Sequence, residues 1–222
     1  MKNDKTWNSV DHYFTAQLQP ESKDLQYVRD NNQKNGLPDI DVTPTQGKFL
    51  AMLAQLKGAK NILEIGTLGG YSTIWLARTL PEDGKIVTLE VDPIHAKTAQ
   101  ANINSAKLGD KVTIIEGPAL TTLPTLQEQG FSNFDFIFID ADKPNNPHYI
   151  KWALQLAAKG AVIVSDNVVR DGEVINKNTC DEKVLGIRKF IDILTKDERA
   201  DSVGIQTVGE KGYDGFVLTI VQ

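Results

Sequence analysis

The sequence predicts an α/β fold in which a mostly parallel sheet, covered by helices on both faces, is closed by an antiparallel hairpin. Three observations carry that reading. From residue 60 onward, short apolar runs alternate with helical stretches, the pattern of βαβ units. The runs are mostly apolar in character, as suits strands buried on both faces. The last two β-like runs, Ser202–Val208 and Phe216–Val221, are separated by only Gly209-Glu210-Lys211-Gly212-Tyr213-Asp214-Gly215. A parallel crossover takes about a dozen residues or more, so these two pair as a hairpin.

The stretch Thr6–Leu37 is polar and broken by Pro20, Asn31, Asn32 and Gly36; within it, Val10–Gln19 and Ser22–Asn32 have the spacing of short amphipathic helices. A third helix is predicted over Thr45–Leu56, with Phe49, Leu50, Met52, Leu53 and Leu56 on one side and Thr43 or Thr45 as its cap. Asn61–Ile65 is the first strand, and a turn containing Gly66, Gly69 and Gly70 leads into a helix over Tyr71–Thr79. Pro81–Gly84 is a turn before the second strand, Lys85–Glu90, which is followed by a helix over Pro93–Ala106 and a third strand, Lys111–Glu116. A helix over Leu120–Glu128 precedes the fourth strand, Phe134–Ile139. Asn145-Asn146-Pro147 reads as a turn, Tyr149–Leu156 as a helix, and Ala161–Ser165, after Gly160, as the fifth strand. A helix over Val184–Lys196 then leads to the hairpin. With no internal repeat, linker or low-complexity tract, residues 1–222 read as one domain, a helical extension over 1–44 and an α/β core over 45–222.

Composition bounds the function. Hydrophobic and charged fractions of 41% and 24% are those of an ordinary globular protein, and 222 residues bury a substantial core. A net charge of −5 argues against a partner recognised by its phosphates. The single cysteine, Cys180, forms neither an internal disulfide nor a cysteine-based zinc site. The first residues are polar rather than a signal-like apolar run, and no apolar stretch approaches the ~20 residues that span a bilayer. The expectation is a cytoplasmic protein with no membrane association.

Two constellations carry chemistry. The first is Leu63-Glu64-Ile65-Gly66-Thr67-Leu68-Gly69-Gly70-Tyr71-Ser72, where glycines let the backbone turn tightly and approach a ligand. Glu90, at the end of the second strand, is placed to accept hydrogen bonds from a ribose diol. A pyrophosphate would be repelled by Glu64 so near the turn, which favours S-adenosylmethionine (SAM) over NAD. The second is the pair of strand ends Asp140-Ala141-Asp142-Lys143 and Asp166-Asn167. Asp140, Asp166 and the Asn167 amide offer hard oxygen donors in an incomplete shell, suited to Mg²⁺ or a similar cation and unsuited to zinc. Lys143 lies three residues after Asp140. Nearby positive charge and loss of water both favour a neutral amine, so it is the candidate general base. His12, His95 and His148 show no ligand spacing, and Trp7, Tyr13 and Phe14 suit packing against the body or a partner.

These motifs resemble the cation-dependent O-methyltransferase family that includes catechol and caffeoyl-CoA O-methyltransferases, especially its small bacterial members. The resemblance runs from about Asp41 to the C-terminus. It rests on Leu63-Glu64-Ile65-Gly66-Thr67, Tyr71-Ser72, Pro81-Glu82-Asp83-Gly84-Lys85, Glu116-Gly117-Pro118-Ala119-Leu120, Phe138-Ile139-Asp140-Ala141-Asp142-Lys143 and Asp166-Asn167-Val168. It implies a Rossmann-like methyltransferase fold with seven strands. By similarity, Val42, Glu64, Gly66, Thr67 and Ser72 contact the methionine part of SAM, Glu90 the ribose and Ala119 the adenine. Asp140, Asp166 and Asn167 match metal ligands (Mg²⁺, or another divalent cation such as Mn²⁺ or Ca²⁺), and Lys143 the base. Asp142 matches a cofactor or substrate contact, and Asp171 a substrate contact in some members. Where many relatives have a tyrosine soon after the lysine, this chain has Pro144-Asn145-Asn146-Pro147-His148-Tyr149. The implied acceptor is a catechol-like or polyphenolic hydroxyl, and the implied assembly a homodimer. A hydroxylated tRNA nucleoside is the alternative acceptor. An NAD(P)-dependent oxidoreductase, disfavoured by Glu64 and the missing GxGxxG spacing, and a non-catalytic cofactor-binding protein are the other readings.

Overall fold

The computed structural model describes residues 4–19 and 21–222; the expected break at Pro20 lies outside them. Two N-terminal helices, α1 (Asp4–Leu18) and α2 (Lys23–Lys34), precede α3 (Pro44–Lys57). Then come β1 (Asn61–Ile65), α4 (Tyr71–Ala77), β2 (Lys85–Glu90), α5 (Pro93–Ser105), β3 (Val112–Glu116), the single turn α6 (Ala119–Thr122) and β4 (Phe134–Ile139). The chain closes with α7 (Asn146–Leu156), β5 (Ala157–Asp166), α8 (Glu182–Leu194), β6 (Ala200–Gly209) and β7 (Gly212–Val221). The seven strands form one sheet in the order β3-β2-β1-β4-β5-β7-β6, in which β7 alone runs against the others.

The strands are buried on both faces because alternate residues feed two cores. Leu63, Ile65, Val87, Ile137, Ile139 and Ile163 meet Ile150, Leu154, Ile187 and Phe190 of α7 and α8 on one face. Ile62, Ile86, Phe136, Phe138 and Val164 meet Leu50, Ala54, Ile74 and Ile103 of α3, α4 and α5 on the other. Outside that layer, α2 contributes Leu25 and Val28, and Tyr71 donates to Glu21 just ahead of it (2.6 Å). The strand β6 is exposed along most of its length.

Local chemistry fixes the helix ends. The Thr43 hydroxyl accepts from Gln46 N and caps α3, which stops at Gly58 in the left-handed region (φ 68°). Asp92 caps α5 ahead of Pro93, and Asp181 caps α8.

Several elements differ from expectation. The helix predicted over Leu120–Glu128 is broken into α6 and a 3-10 turn, Leu123–Thr125, because Pro124 has no N–H to continue the ladder. Asn145-Asn146-Pro147 is not a free turn: Lys143–Asn145 forms a 3-10 turn, and Asn146 and Pro147 open α7, where proline's missing N–H costs nothing. The hairpin strands run on to Gly209 and from Gly212, leaving Glu210-Lys211 as the turn. The strand β5 begins at Ala157 after an irregularity opposite Phe134 and Phe136. Asn31 and Asn32 lie inside α2 rather than ending it, and α1 begins at Asp4 rather than Val10.

Candidate active site

The sheet order reverses between β1 and β4, and the crevice at such a switch point, beyond the carboxyl ends of the strands, is where open α/β sheets bind ligands. A cleft of about 1470 Å³ opens there.

Its first wall is the turn after β1. Gly66 continues the ladder by donating to Leu89 O (3.0 Å), and Asp140 N donates to Ile65 O (2.9 Å). At Gly66 the backbone has φ 99°, and an added Cβ would stand 2.2 Å from the Asp140 carbonyl oxygen. Only glycine fits there. Gly70, also left-handed (φ 81°), turns the chain into α4.

Glu90 grips this turn. Its Oε2 accepts from Thr67 N (3.2 Å) and Leu68 N (2.8 Å), and its Oε1 accepts from Asp92 N (3.0 Å). The sequence reading of Glu90 as a ribose acceptor did not foresee that both oxygens hold backbone.

Glu64 is fully buried beneath the turn and does not line the cleft. It accepts from Ser72 Oγ (2.6 Å), Thr88 Oγ1 (2.7 Å) and the Thr73 hydroxyl. Burial pushes its carboxyl up to about 7; the three hydroxyls oppose that rise, and the charge of Asp140 adds to it. Ser72, by contrast, reaches the cleft.

The second wall is formed by the ends of β4 and β5. Asp140 and Asp166 follow the paired residues Ile139 and Ser165 of these neighbouring strands. Lys143, only 5% exposed, pairs with Asp140 (Nζ to Oδ1 2.9 Å). Asp166 Oδ2 accepts from Gln46 Nε2 of α3 (2.7 Å). Burial, and then the like charge of Asp140, push the Asp166 carboxyl up to about 7. Asn167 adopts the left-handed region (φ 56°). Among the described residues no group of three or more His, Cys, Asp or Glu side chains is arranged to hold a metal ion. The set here is two carboxylates and one amide. Its all-oxygen chemistry, and a like-charge pair that a cation would relieve, fit a hard divalent ion.

Asp142 is fixed through both oxygens, by Tyr149 Oη (2.5 Å) and Asn145 Nδ2 (2.6 Å). Val42, Gly66, Thr67, Ser72, Glu90 and Ala119 line the same cleft as Asp140, Asp142, Lys143, Asp166 and Asn167. Asp171 is exposed and outside that lining. Beyond the polar groups the cleft turns apolar, with Phe49 against Phe216 (ring centroids 5.2 Å apart) and Val203, Ile205 and Leu218 alongside. Sequence reasoning missed Gln46; Asn145 and Tyr149 entered it only within the Pro144–Tyr149 segment that stands where many relatives have a tyrosine soon after the lysine.

The chain is similar in sequence and fold to known proteins. The family model described as O-methyltransferase matches residues 15–219. The chain is 49% identical over 220 residues to a catechol O-methyltransferase of Niastella koreensis, covering 99% of this chain and all of that one. It is 48% identical over 186 residues to a catechol O-methyltransferase of Mycobacterium tuberculosis, covering 84% and 83% of the two chains. The fold is similar to that of an O-methyltransferase from Bacillus cereus solved in complex with S-adenosylhomocysteine (SAH), with a TM-score of 0.97, 50% identity, and 99% and 100% coverage.

Proposed function

The chain belongs to the O-methyltransferase family, and on that premise we propose that this SAM-dependent enzyme methylates one hydroxyl of a catechol-like or polyphenolic small molecule, with a divalent cation such as Mg²⁺ held by Asp140, Asp166 and Asn167. The observation that carries the reading is the meeting, in one cleft, of a glycine turn at the end of β1 with paired carboxylates and a buried lysine beside β4 and β5. The catechol-acting relatives support the acceptor class.

In this reading Val42, Gly66, Thr67 and Ser72 hold the methionine end of SAM, Glu90 receives the ribose, Ala119 borders the adenine, and Asp142 shapes the wall between donor and acceptor. Glu64 acts from below by orienting the Ser72 hydroxyl. When bound, SAM supplies an electrophilic methyl group. The cation, when bound, supplies Lewis acidity toward the acceptor oxygens. Lys143 takes the proton from the acceptor hydroxyl, and its burial keeps bulk water from competing. Asp140 orients that amine and belongs to the cation set. Phe49, Ile205 and Phe216 exclude water and receive the acceptor ring, so that much of the rate comes from positioning.

The test is methyl transfer from SAM to a catechol with and without EDTA, with Mg²⁺ added back and tRNA assayed in parallel. Undiminished activity in metal-free protein would remove the cation's role. Methylation of tRNA with no turnover of catechols would replace the acceptor class.

Residues 1–222 act here as one unit. We further propose a homodimer, supported by apolar side chains left exposed at helical spacing, Val10, Phe14 and Leu18 on α1 and Met52 and Leu56 on α3. A monomeric mass in sedimentation equilibrium would refute it. A cytoplasmic setting is supported by the single cysteine, Cys180, which is free and exposed; cell fractionation checks it.

A further inference from the structure

Two adjacent asparagines of α2, Asn31 and Asn32, and the distant Asn102 of α5 form one chain of amides beneath the glycine turn. Asn102 of α5 is fully buried and Asn32 of α2 is 3% exposed. Asn102 Nδ2 donates to Gly69 O (2.8 Å) and to Asn32 Oδ1 (2.9 Å). Asn32 Nδ2 donates in turn to Asp41 Oδ2 (3.0 Å), and Asn31 Nδ2 donates to Asn102 Oδ1 (2.7 Å).

The polarity of this chain is forced. The Gly69 carbonyl only accepts, so Asn102 turns its NH₂ toward it, and the second N–H of that NH₂ needs an acceptor. Asn32 must therefore present its oxygen to Asn102 and its NH₂ outward, where the Asp41 carboxylate receives it. Asn31 satisfies the remaining Asn102 oxygen. A buried network with every member satisfied rigidifies what it touches. What it touches are two walls of the cleft: the Gly66–Gly70 turn on one side, and Asp41, next to Val42, on the other. The packing leaves no slack, since a Cβ on Gly69 would lie 2.0 Å from Asn32 Oδ1.

We propose that Asn32 and Asn102 are positioning residues that hold the Gly66–Gly70 turn and the Asp41-Val42 segment at the separation the methyl donor requires. The N-terminal helix α2 thereby belongs to the cofactor site. The inference rests on the reading that this turn receives SAM.

Calorimetry with SAH, together with steady-state kinetics on a catechol, tests it. Asn32→Ala and Asn102→Ala should each weaken SAH binding about tenfold or more and raise the KM for SAM in parallel. Turnover at saturating SAM should stay within about threefold, because the reacting groups are untouched. Gly69→Ala should weaken binding similarly in the wild-type background and add little on top of Asn32→Ala, which vacates the space its Cβ needs. Unchanged SAH affinity in both asparagine variants, with Glu90→Ala impaired, overturns the inference and leaves the cofactor reading standing. Unchanged affinity in Glu90→Ala as well overturns the cofactor reading itself. Should the buried variants fail to fold, the partly exposed Asp41 decides. Asp41→Asn can still accept from Asn32 and should keep SAH affinity, whereas Asp41→Ala should lose it; equal behaviour of the two refutes the proposal.

Discussion

Replacing Glu64 by glutamine should stabilise the protein above neutral pH, by an amount that follows from its burial. The carboxyl is pushed up to about 7 from an ordinary value of 4.5. The folded state therefore binds this proton more tightly than the unfolded chain does. Stability from the group is complete below about pH 4.5 and falls as the pH rises to about 7. Above that, the gap at roughly 1.4 kcal/mol per pH unit costs the folded state about 3 kcal/mol. Glutamine carries no charge to desolvate. Its oxygen can keep the Thr73 and Thr88 donors while its NH₂ donates to a rotated Ser72 hydroxyl, an exchange costing about 1 kcal/mol. A net gain of about 2 kcal/mol should remain at pH 8.5, or roughly 4–8 °C in Tm for a chain this long. At pH 5 the variant should be no more stable than wild type. Urea unfolding followed by circular dichroism, without SAM or divalent cations, reads both. Asp166 contributes a slope of the same sign to both proteins, so the difference between the two curves isolates Glu64. A difference curve flat from pH 5 to 8.5 would refute the argument.

Further outcomes are expected. Gly66→Ala should lose roughly 1–3 kcal/mol of stability, from a φ of 99° and a Cβ driven onto the Asp140 carbonyl, and should abolish SAH binding by calorimetry. Lys143→Ala should lower turnover about 10²–10⁴-fold while SAH affinity changes little, a split that equal losses in both would contradict. Phe136→Ala, at a fully buried position in β4, should cost about 3–5 kcal/mol in denaturant unfolding and leave the SAM KM of the folded fraction unchanged.

Much of the fold was legible because it rests on local signals. The runs that form β1, β2 and β4 are apolar enough to fix both type and boundary, and Thr43, one of the two caps expected for α3, holds its N-terminus. The short hairpin connection forced an antiparallel ending, although how far the strands reach toward Glu210-Lys211 depends on cross-strand pairing. Pro124 breaks the helix expected over Leu120–Glu128 into short turns, a local effect that apolar spacing alone does not register. At the site, strand-end acids converge because a parallel sheet brings its carboxyl ends to one edge, so Glu90, Asp140 and Asp166 could be read from the sequence alone. Gln46, Asn32 and Asn102 could not. Each acts across a long separation through an amide, a group with no spacing signature, and only packing reveals whom it meets. Residues before position 44 also meet the cleft: Asp41 lines it, and Asn32 reaches the glycine turn through Asn102.

The close approach of Gly66 to Asp140 bears on how such a protein can diverge. The turn assigned to the methyl donor and the strand end assigned to the acceptor share one backbone seam, with no room for a single extra carbon. A substitution there disturbs both halves together, so new acceptors cannot be gained by remodelling the seam. The freedom lies at the opposite rim, where Phe49, Val203 and Ile205 meet the cleft through apolar side chains. Descendants with altered substrate range should accumulate their changes along that rim while the seam stays as it is.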